Sequence, residues 1–227
     1  MKLGHRLQQL NLMIPDGYDH IWDCCCDHGR LGMTLLQRNA AETIHFVDSA
    51  PNVMVKLETA LAQYFPHSRH RWQAHCLDVT KLDLAAYTAV TQKQLVIIAG
   101  VGGDRVIELV NAMMARHIDW SIDFLLCPVH HNYKVRELLR ANQLGLLNEK
   151  LVCENKRFYE LIYVSPHATQ PISAVGSVMW DFARQECHDY LVNTIAYYQR
   201  KVSHEVGRTA YTEILEAYQR LQIRQRI

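Results

Sequence analysis

Short apolar runs alternate with amphipathic stretches along the first two-thirds of this chain, and that rhythm limits its fold more than any other feature. Residues 20–26, 43–48, 69–76, 94–100 and 124–128 read as strands, while 29–38, 51–64, 103–116 and 132–142 carry helical spacing. The run Leu95-Val96-Ile97-Ile98-Ala99 has no polar member, which predicts a strand covered on both faces. Pro51 suits the first turn of its helix, where a missing N–H is harmless. Residues 147–154 and 158–164 then follow one another across Asn155-Lys156-Arg157, as an antiparallel pair does. Alternating strands and helices imply parallel pairing through right-handed crossovers, and the closing pair turns one strand back. The expected fold class is α/β, a doubly wound, mostly parallel sheet with one antiparallel edge strand.

The rhythm stops after residue 165. Residues 166–171 form a polar connector with a proline at each end, and no strand pattern follows. Apolar residues at Ile195, Tyr198 and Val202, then at Ile214, Leu215, Tyr218 and Leu221, make two helical stripes with a break near Gly207. The chain thus divides into an α/β unit, residues 1–165, and a coiled-coil-like C-terminal α-helical hairpin, residues 172–227. At the other end Leu3, Leu7, Leu10 and Met13 predict a short amphipathic helix, stopped by Pro15-Asp16-Gly17.

Composition excludes several classes. The 227 residues are 49% hydrophobic and 21% charged, a folding composition rather than a disordered one. Lys plus Arg is 24 against 23 for Asp plus Glu, a formal charge of +1, so any nucleic-acid face must be local. No apolar stretch reaches the ~18 residues of a membrane span. Residues 1–12 lack an apolar signal core, so a cytoplasmic location is expected. Of the cysteines, Cys24, Cys25 and Cys26 are consecutive, and none forms a CxxC pair or a zinc-ligand spacing with histidine. Free thiols and no metal are expected.

In a doubly wound sheet, ligands bind beyond the carboxyl ends of the strands, where strand order reverses. The first expected strand runs into Asp23-Cys24-Cys25-Cys26-Asp27-His28-Gly29. The second ends at Asp48, 23 positions beyond Cys25, a spacing at which a carboxylate reaches a ribose diol. The third is followed by Asp78 and Val79, and the fourth by Gly100, Val101, Gly102 and Gly103. One such Asp is ordinary turn or cap chemistry; several in register point to a site. A dinucleotide needs a glycine-rich first turn so that backbone can approach its pyrophosphate. This turn has no glycine before Gly29, and a carboxylate at Asp27 would repel a phosphate. S-adenosylmethionine has no phosphate. Its ammonium, sulfonium, ribose hydroxyls and adenine amine all suit strand-end acids.

These motifs resemble those of a known family. Residues 23–31 are similar to the D-I-G-[ST]-D-H-A-x-L motif of the bacterial tRNA (adenine-22, N1) methyltransferases, a TrmK-like group of class I S-adenosylmethionine-dependent methyltransferases. Residues 97–103 resemble the family's I-x-I-A-G-M-G-G. Residues 124–131, with the helix after them, resemble its L-I-L-Q-P-N segment. Phe158-Tyr159-Glu160-Leu161-Ile162 is similar to its closing strand, and the opening helix to its S-x-R-L start. The likeness covers residues 2–165, and more loosely the helical tail. It implies a Rossmann-like class I methyltransferase sheet, which a closing hairpin suits better than a dehydrogenase sheet.

By that resemblance Asp23 and the turn of Cys25, Asp27 and His28 face the methionine end of S-adenosylmethionine. Asp48 holds the ribose hydroxyls, Asp78 with Val79 meets the adenine, and Gly100 and Gly102 border the target base. Asp27 and His28 are the expected catalytic residues: Asp27 offsets positive charge arriving on the base, and His28 shapes the pocket. The alternative for Asp27 is a cap on the helix starting near Gly29. N1 of adenine has a lone pair and no proton, so methyl transfer to it needs alignment rather than a base. A base in a paired arm must also be flipped out, with Tyr133, Phe158 or Tyr159 as candidate stacking partners and core packing as their alternative. Departures from the family pattern are Cys25 for a glycine, and Cys127 and Val129 for the Gln and Asn that flank Pro128. Lys134, Arg136, Arg140, Lys156, Arg157, Lys2, His5 and Arg6 are candidate phosphate contacts for tRNA, the expected partner. Competing readings are a methyltransferase for another substrate and a non-catalytic S-adenosylmethionine-binding or interaction protein.

Overall fold

The computed structural model describes residues 3–204 and 208–224. Among these, seven strands form one sheet: β1 (Tyr18–Cys24), β2 (Ala41–Asp48), β3 (Trp72–Cys76), β4 (Gln94–Ala99), β5 (Ile122–Cys127), β6 (Gly145–Glu154) and β7 (Arg157–Ser165). Their order is β3-β2-β1-β4-β5-β7-β6. β1 to β5 pair in parallel, and β7 runs antiparallel to both β5 and β6, one place in from the edge. The hairpin turns on Asn155 (φ 51°) and Lys156 (φ 61°), the two left-handed residues of a tight turn whose twist matches its strands.

Helices α1 (His5–Met13), α2 (Arg30–Gln37) and α3 (Pro51–Tyr64) cover one face, and α4 (Gly103–Arg116) and α5 (Asn132–Ala141) the other. Strand side chains alternate between the two layers. Ile21, Leu95 and Ile97 join Leu35 and Leu57 in the first core, while Trp22, Val96 and Ile98 join Val106 and Leu139 in the second. Most strands start a residue or two before the expected position, and two fall short of the expected span by two residues or more. β1 stops at Cys24 because Cys25 turns to φ 57°, so Cys25 and Cys26 lie in the loop. β3 begins only at Trp72, because Pro66 starts a 3-10 turn over Pro66–Arg71, from which Arg69 stacks on the Trp72 ring at 4.1 Å.

The C-terminal helices α6 (Gln185–His204) and α7 (Arg208–Arg224) pack through Ile195, Tyr198, Ile214 and Tyr218. The expected break at Gly207 lies outside the described residues, as does Lys2. A buried ionic knot fastens this hairpin's approach to the sheet. Arg136 of α5 lies 2.6 Å from Glu149 of β6 and 2.7 Å from Glu160 of β7, with all three side chains wholly buried. Tyr190 of α6 donates to Glu160 at 2.5 Å, and the Ser177 hydroxyl donates to Glu149 at 2.9 Å. Arg136 is therefore not a phosphate contact: its charge is consumed inside the protein. No described helix is long and apolar enough to cross a membrane.

Candidate active site

A cleft of about 740 Å³ opens at the carboxyl ends of β1, β2 and β4, across the β1/β4 boundary where chain order reverses. Asp23, Cys25, Asp27, His28, Asp48, Asp78, Val79 and Gly100 all line it, as read from the sequence. Gly102 does not. It precedes α4, and a Cβ there would meet the His130 ring at 2.7 Å. Its small size serves the packing of α4 on the loop after β5.

The cleft's floor is Asp23, 5% exposed, whose Oδ2 accepts the Gly32 N–H at 2.9 Å. Burial pushes this carboxyl up to about 7, against the Gly32 hydrogen bond and helped by the Asp48 charge. In the turn after β1, every second residue is left-handed: Cys25 (φ 57°), Asp27 (φ 49°) and Gly29 (φ 62°). At Gly29 a Cβ would also meet the Leu57 side chain at 2.4 Å, which favours glycine there. Cys25 takes the same conformation with a side chain, at a cost of roughly 1–2 kcal/mol.

Asp48 ties two loops together. Its Oδ2 accepts the Asp27 N–H at 3.1 Å and its Oδ1 the Ala50 N–H at 3.0 Å. Asp78 accepts the N–H and hydroxyl of Thr80 at 2.9 Å and Arg105 at 2.8 Å, all on Oδ1. Those donors, the Thr80 N–H foremost, hold its carboxyl below the usual range despite some burial. Asp27 does not cap α2: the cap position is Gly29, and no side chain bonds it. Asp27 and His28 stand at the mouth, 71% and 61% exposed and 3.8 Å apart.

Arg6, Arg30 and Arg105 also line the cleft, and the sequence did not assign them to it. Arg105 is marked only by its opposite charge to Asp78, a partner 27 residues away. Arg6 reaches in from α1, with its guanidinium 4.9 Å from the Tyr159 ring centre. Of the departures flanking Pro128, Cys127 is wholly buried in the first core, whereas Val129 is 41% exposed. Lys134 pairs with Asp104 at 3.6 Å and Arg140 with Glu137 at 2.6 Å. The cysteines are free thiols.

A family model described as a methyltransferase domain matches residues 3–162. No curated protein matches the chain by sequence. Among solved structures, M. capricolum TrmK in complex with S-adenosyl-homocysteine is 14% identical, with a TM-score of 0.78 over 97% of this chain and 98% of its own. The B. subtilis m1A22 tRNA methyltransferase TrmK is 15% identical, with a TM-score of 0.73 over 96% of this chain and 98% of its own. The magnesium protoporphyrin IX methyltransferase of Synechocystis PCC 6803 with bound S-adenosylmethionine is 10% identical, with a TM-score of 0.53 over 70% of this chain and 76% of its own. At such identities the likeness is one of fold. All three share the Rossmann-like sheet, and the first two extend over the helical tail.

Proposed function

The chain belongs to the methyltransferase-domain family, and from that premise we propose that it transfers a methyl group from S-adenosylmethionine to N1 of an adenosine in tRNA. The observation that carries this reading is the convergence of Asp23, Asp48 and Asp78, from three strand ends, on one cleft. Carboxylates without a glycine-rich phosphate cradle suit an ammonium, a sulfonium and a ribose diol. The cleft's volume of about 740 Å³ suits a small cofactor. The tRNA substrate rests on the likeness to structures named as TrmK, over tail and sheet alike, and on the D-H and A-G-x-G-G motifs.

In this reading Asp48 accepts the ribose hydroxyls, Asp23 with Cys25 faces the methionine ammonium, and Asp78 with Val79 bounds the adenine. When bound, the cofactor supplies an electrophilic methyl group on sulfur. The chain's own residues align the acceptor lone pair with that methyl and exclude water. Asp27, beside His28 at the mouth, is covered when a base enters and offsets the charge developing there. Residues 1–165 form the catalytic unit and 172–227 a helical appendage, in a protein of the cytoplasm. Incubation with methyl-labelled S-adenosylmethionine and total small RNA, followed by digestion and mass spectrometry, is expected to yield 1-methyladenosine. Label in a different nucleoside, or none in RNA, would sink the assignment.

A further inference from the structure

Next to this cleft lies a second one of about 720 Å³, walled by rings and, among the described residues, without carboxylates. Tyr133 comes from the first turn of α5, Phe158 and Tyr159 from β7, and Tyr190, Tyr197 and Tyr198 from α6. Tyr190 and Tyr198 are committed to packing: Tyr190 lies 5.5 Å from Phe158 and bonds Glu160, and Tyr198 stacks on Tyr218 at 5.9 Å. Tyr133 and Tyr159 are half-buried, and Tyr197 is 38% exposed. Cations attend these rings. Arg157 lines the groove and is exposed, Arg6 stands over Tyr159, and the Lys201 ammonium lies 5.9 Å from the Tyr197 ring. Among the described residues lining it there is no carboxylate.

The two clefts share a wall. Arg6 lines the first while stacking on a ring of the second, and the Val129 N–H donates to Val101 O at 3.0 Å, joining their rims. At that rim Val129, 41% exposed, is apolar, and the wall it belongs to carries the rings of Tyr133, Tyr159 and Tyr197 with the amides of Asn132 and Asn193. Rings with cations, no carboxylates, and continuity with a methyl-transfer cleft are the features of a single-strand nucleic-acid track. They favour RNA over a protein partner, which needs no phosphate-neutralising rim.

We propose that this groove takes the RNA strand beside the target base, with one or two unstacked nucleotides against Tyr133, Tyr159 and Tyr197 and a phosphate at Arg157. This rests on the RNA reading above. The test uses a short single-stranded RNA carrying 2-aminopurine, whose fluorescence falls on stacking, with affinity followed by anisotropy of a labelled copy. Tyr197→Ala should weaken binding by roughly five- to a hundredfold, the scale of losing one base–ring stack, and reduce the quenching. Tyr197→Phe should bind like the parent, and S-adenosylhomocysteine affinity should be the same in all three proteins. Binding and quenching unchanged in both Tyr197→Ala and Tyr133→Ala overturn the groove, as expected if it serves a protein partner. So does Tyr197→Phe losing as much as Tyr197→Ala, since the hydroxyl would then be the active part. Methylation of total tRNA by the parent protein separates the two readings. Activity with indifferent groove variants removes the groove alone, while cofactor binding without any RNA binding or methylation removes both.

Discussion

Cys25 and Asp27 both hold left-handed backbone, and that roll of the chain sets Asp27 at the mouth of the cleft with its N–H on Asp48. Asn tolerates this conformation as well as Asp does, so Asp27→Asn should keep the turn. S-adenosylmethionine affinity by calorimetry should then be near that of the parent, while turnover at saturating cofactor falls roughly ten- to a thousandfold. Near-normal turnover would take Asp27 out of the chemistry. Asp48→Ala should instead weaken cofactor binding by about 1.5–3 kcal/mol, the scale of charge-assisted hydrogen bonds. Unchanged affinity would remove Asp48 from the ribose. These acids were legible in the sequence because strand ends put them in register. Arg6 and Arg105 were not, because packing of α1 and α4 brings them in. Gly102 lies outside the cleft lining, close to the His130 ring, and a glycine that admits a ligand and one that admits a neighbouring ring look alike in a G-x-G-G run.

At the scale of elements, two buried polar assemblies fix how strands and helices meet. β1, β2 and β3 each give one histidine to a ladder, with His20 to His45 at 2.9 Å and His45 to His75 at 3.0 Å. Trp22 stacks on His45 at 3.6 Å. Burial pushes all three rings down, His45 to about 2, so the ladder is neutral when folded. An unfolded histidine binds a proton near pH 6.5, which the folded ladder refuses. Stability is therefore complete above that pH and is lost as pH falls below it. Asp23 opposes this: its folded carboxyl takes a proton near 7, before the unfolded one does. Three histidines outweigh one carboxyl, so the unfolding free energy from urea titration should drop between neutrality and about pH 5.5, by roughly 1–2 kcal/mol, and the midpoint with it. A flat midpoint would show that the rings are not held neutral.

The second assembly is the Arg136 knot. Arg136→Ala leaves Glu149 and Glu160 buried without their cation and should cost about 3–5 kcal/mol in urea denaturation. A loss below about 1 kcal/mol would mean that water reaches the carboxylates. Sequence spacing places Arg136 beside Lys134 and Arg140 on a basic helix. Its burial follows from two strands that meet α5 only in the fold.

For the whole molecule, the sheet's class and its reversed strand were readable because periods of two and 3.6 report burial directly. The ends of β1 and the start of β3 were not, since a left-handed cysteine and a proline-led turn leave no mark on apolar periodicity. The molecule that results is a cleft lined by strand-end acids at the switch point, joined to an aromatic groove under a helical hairpin pinned to the sheet. Calorimetric titration of the full chain near neutral pH, with S-adenosylmethionine and separately with NAD, tests the nature of that cleft most directly. One-to-one binding of S-adenosylmethionine and no heat with NAD is the expected result; binding of NAD, or no binding of S-adenosylmethionine, would contradict it.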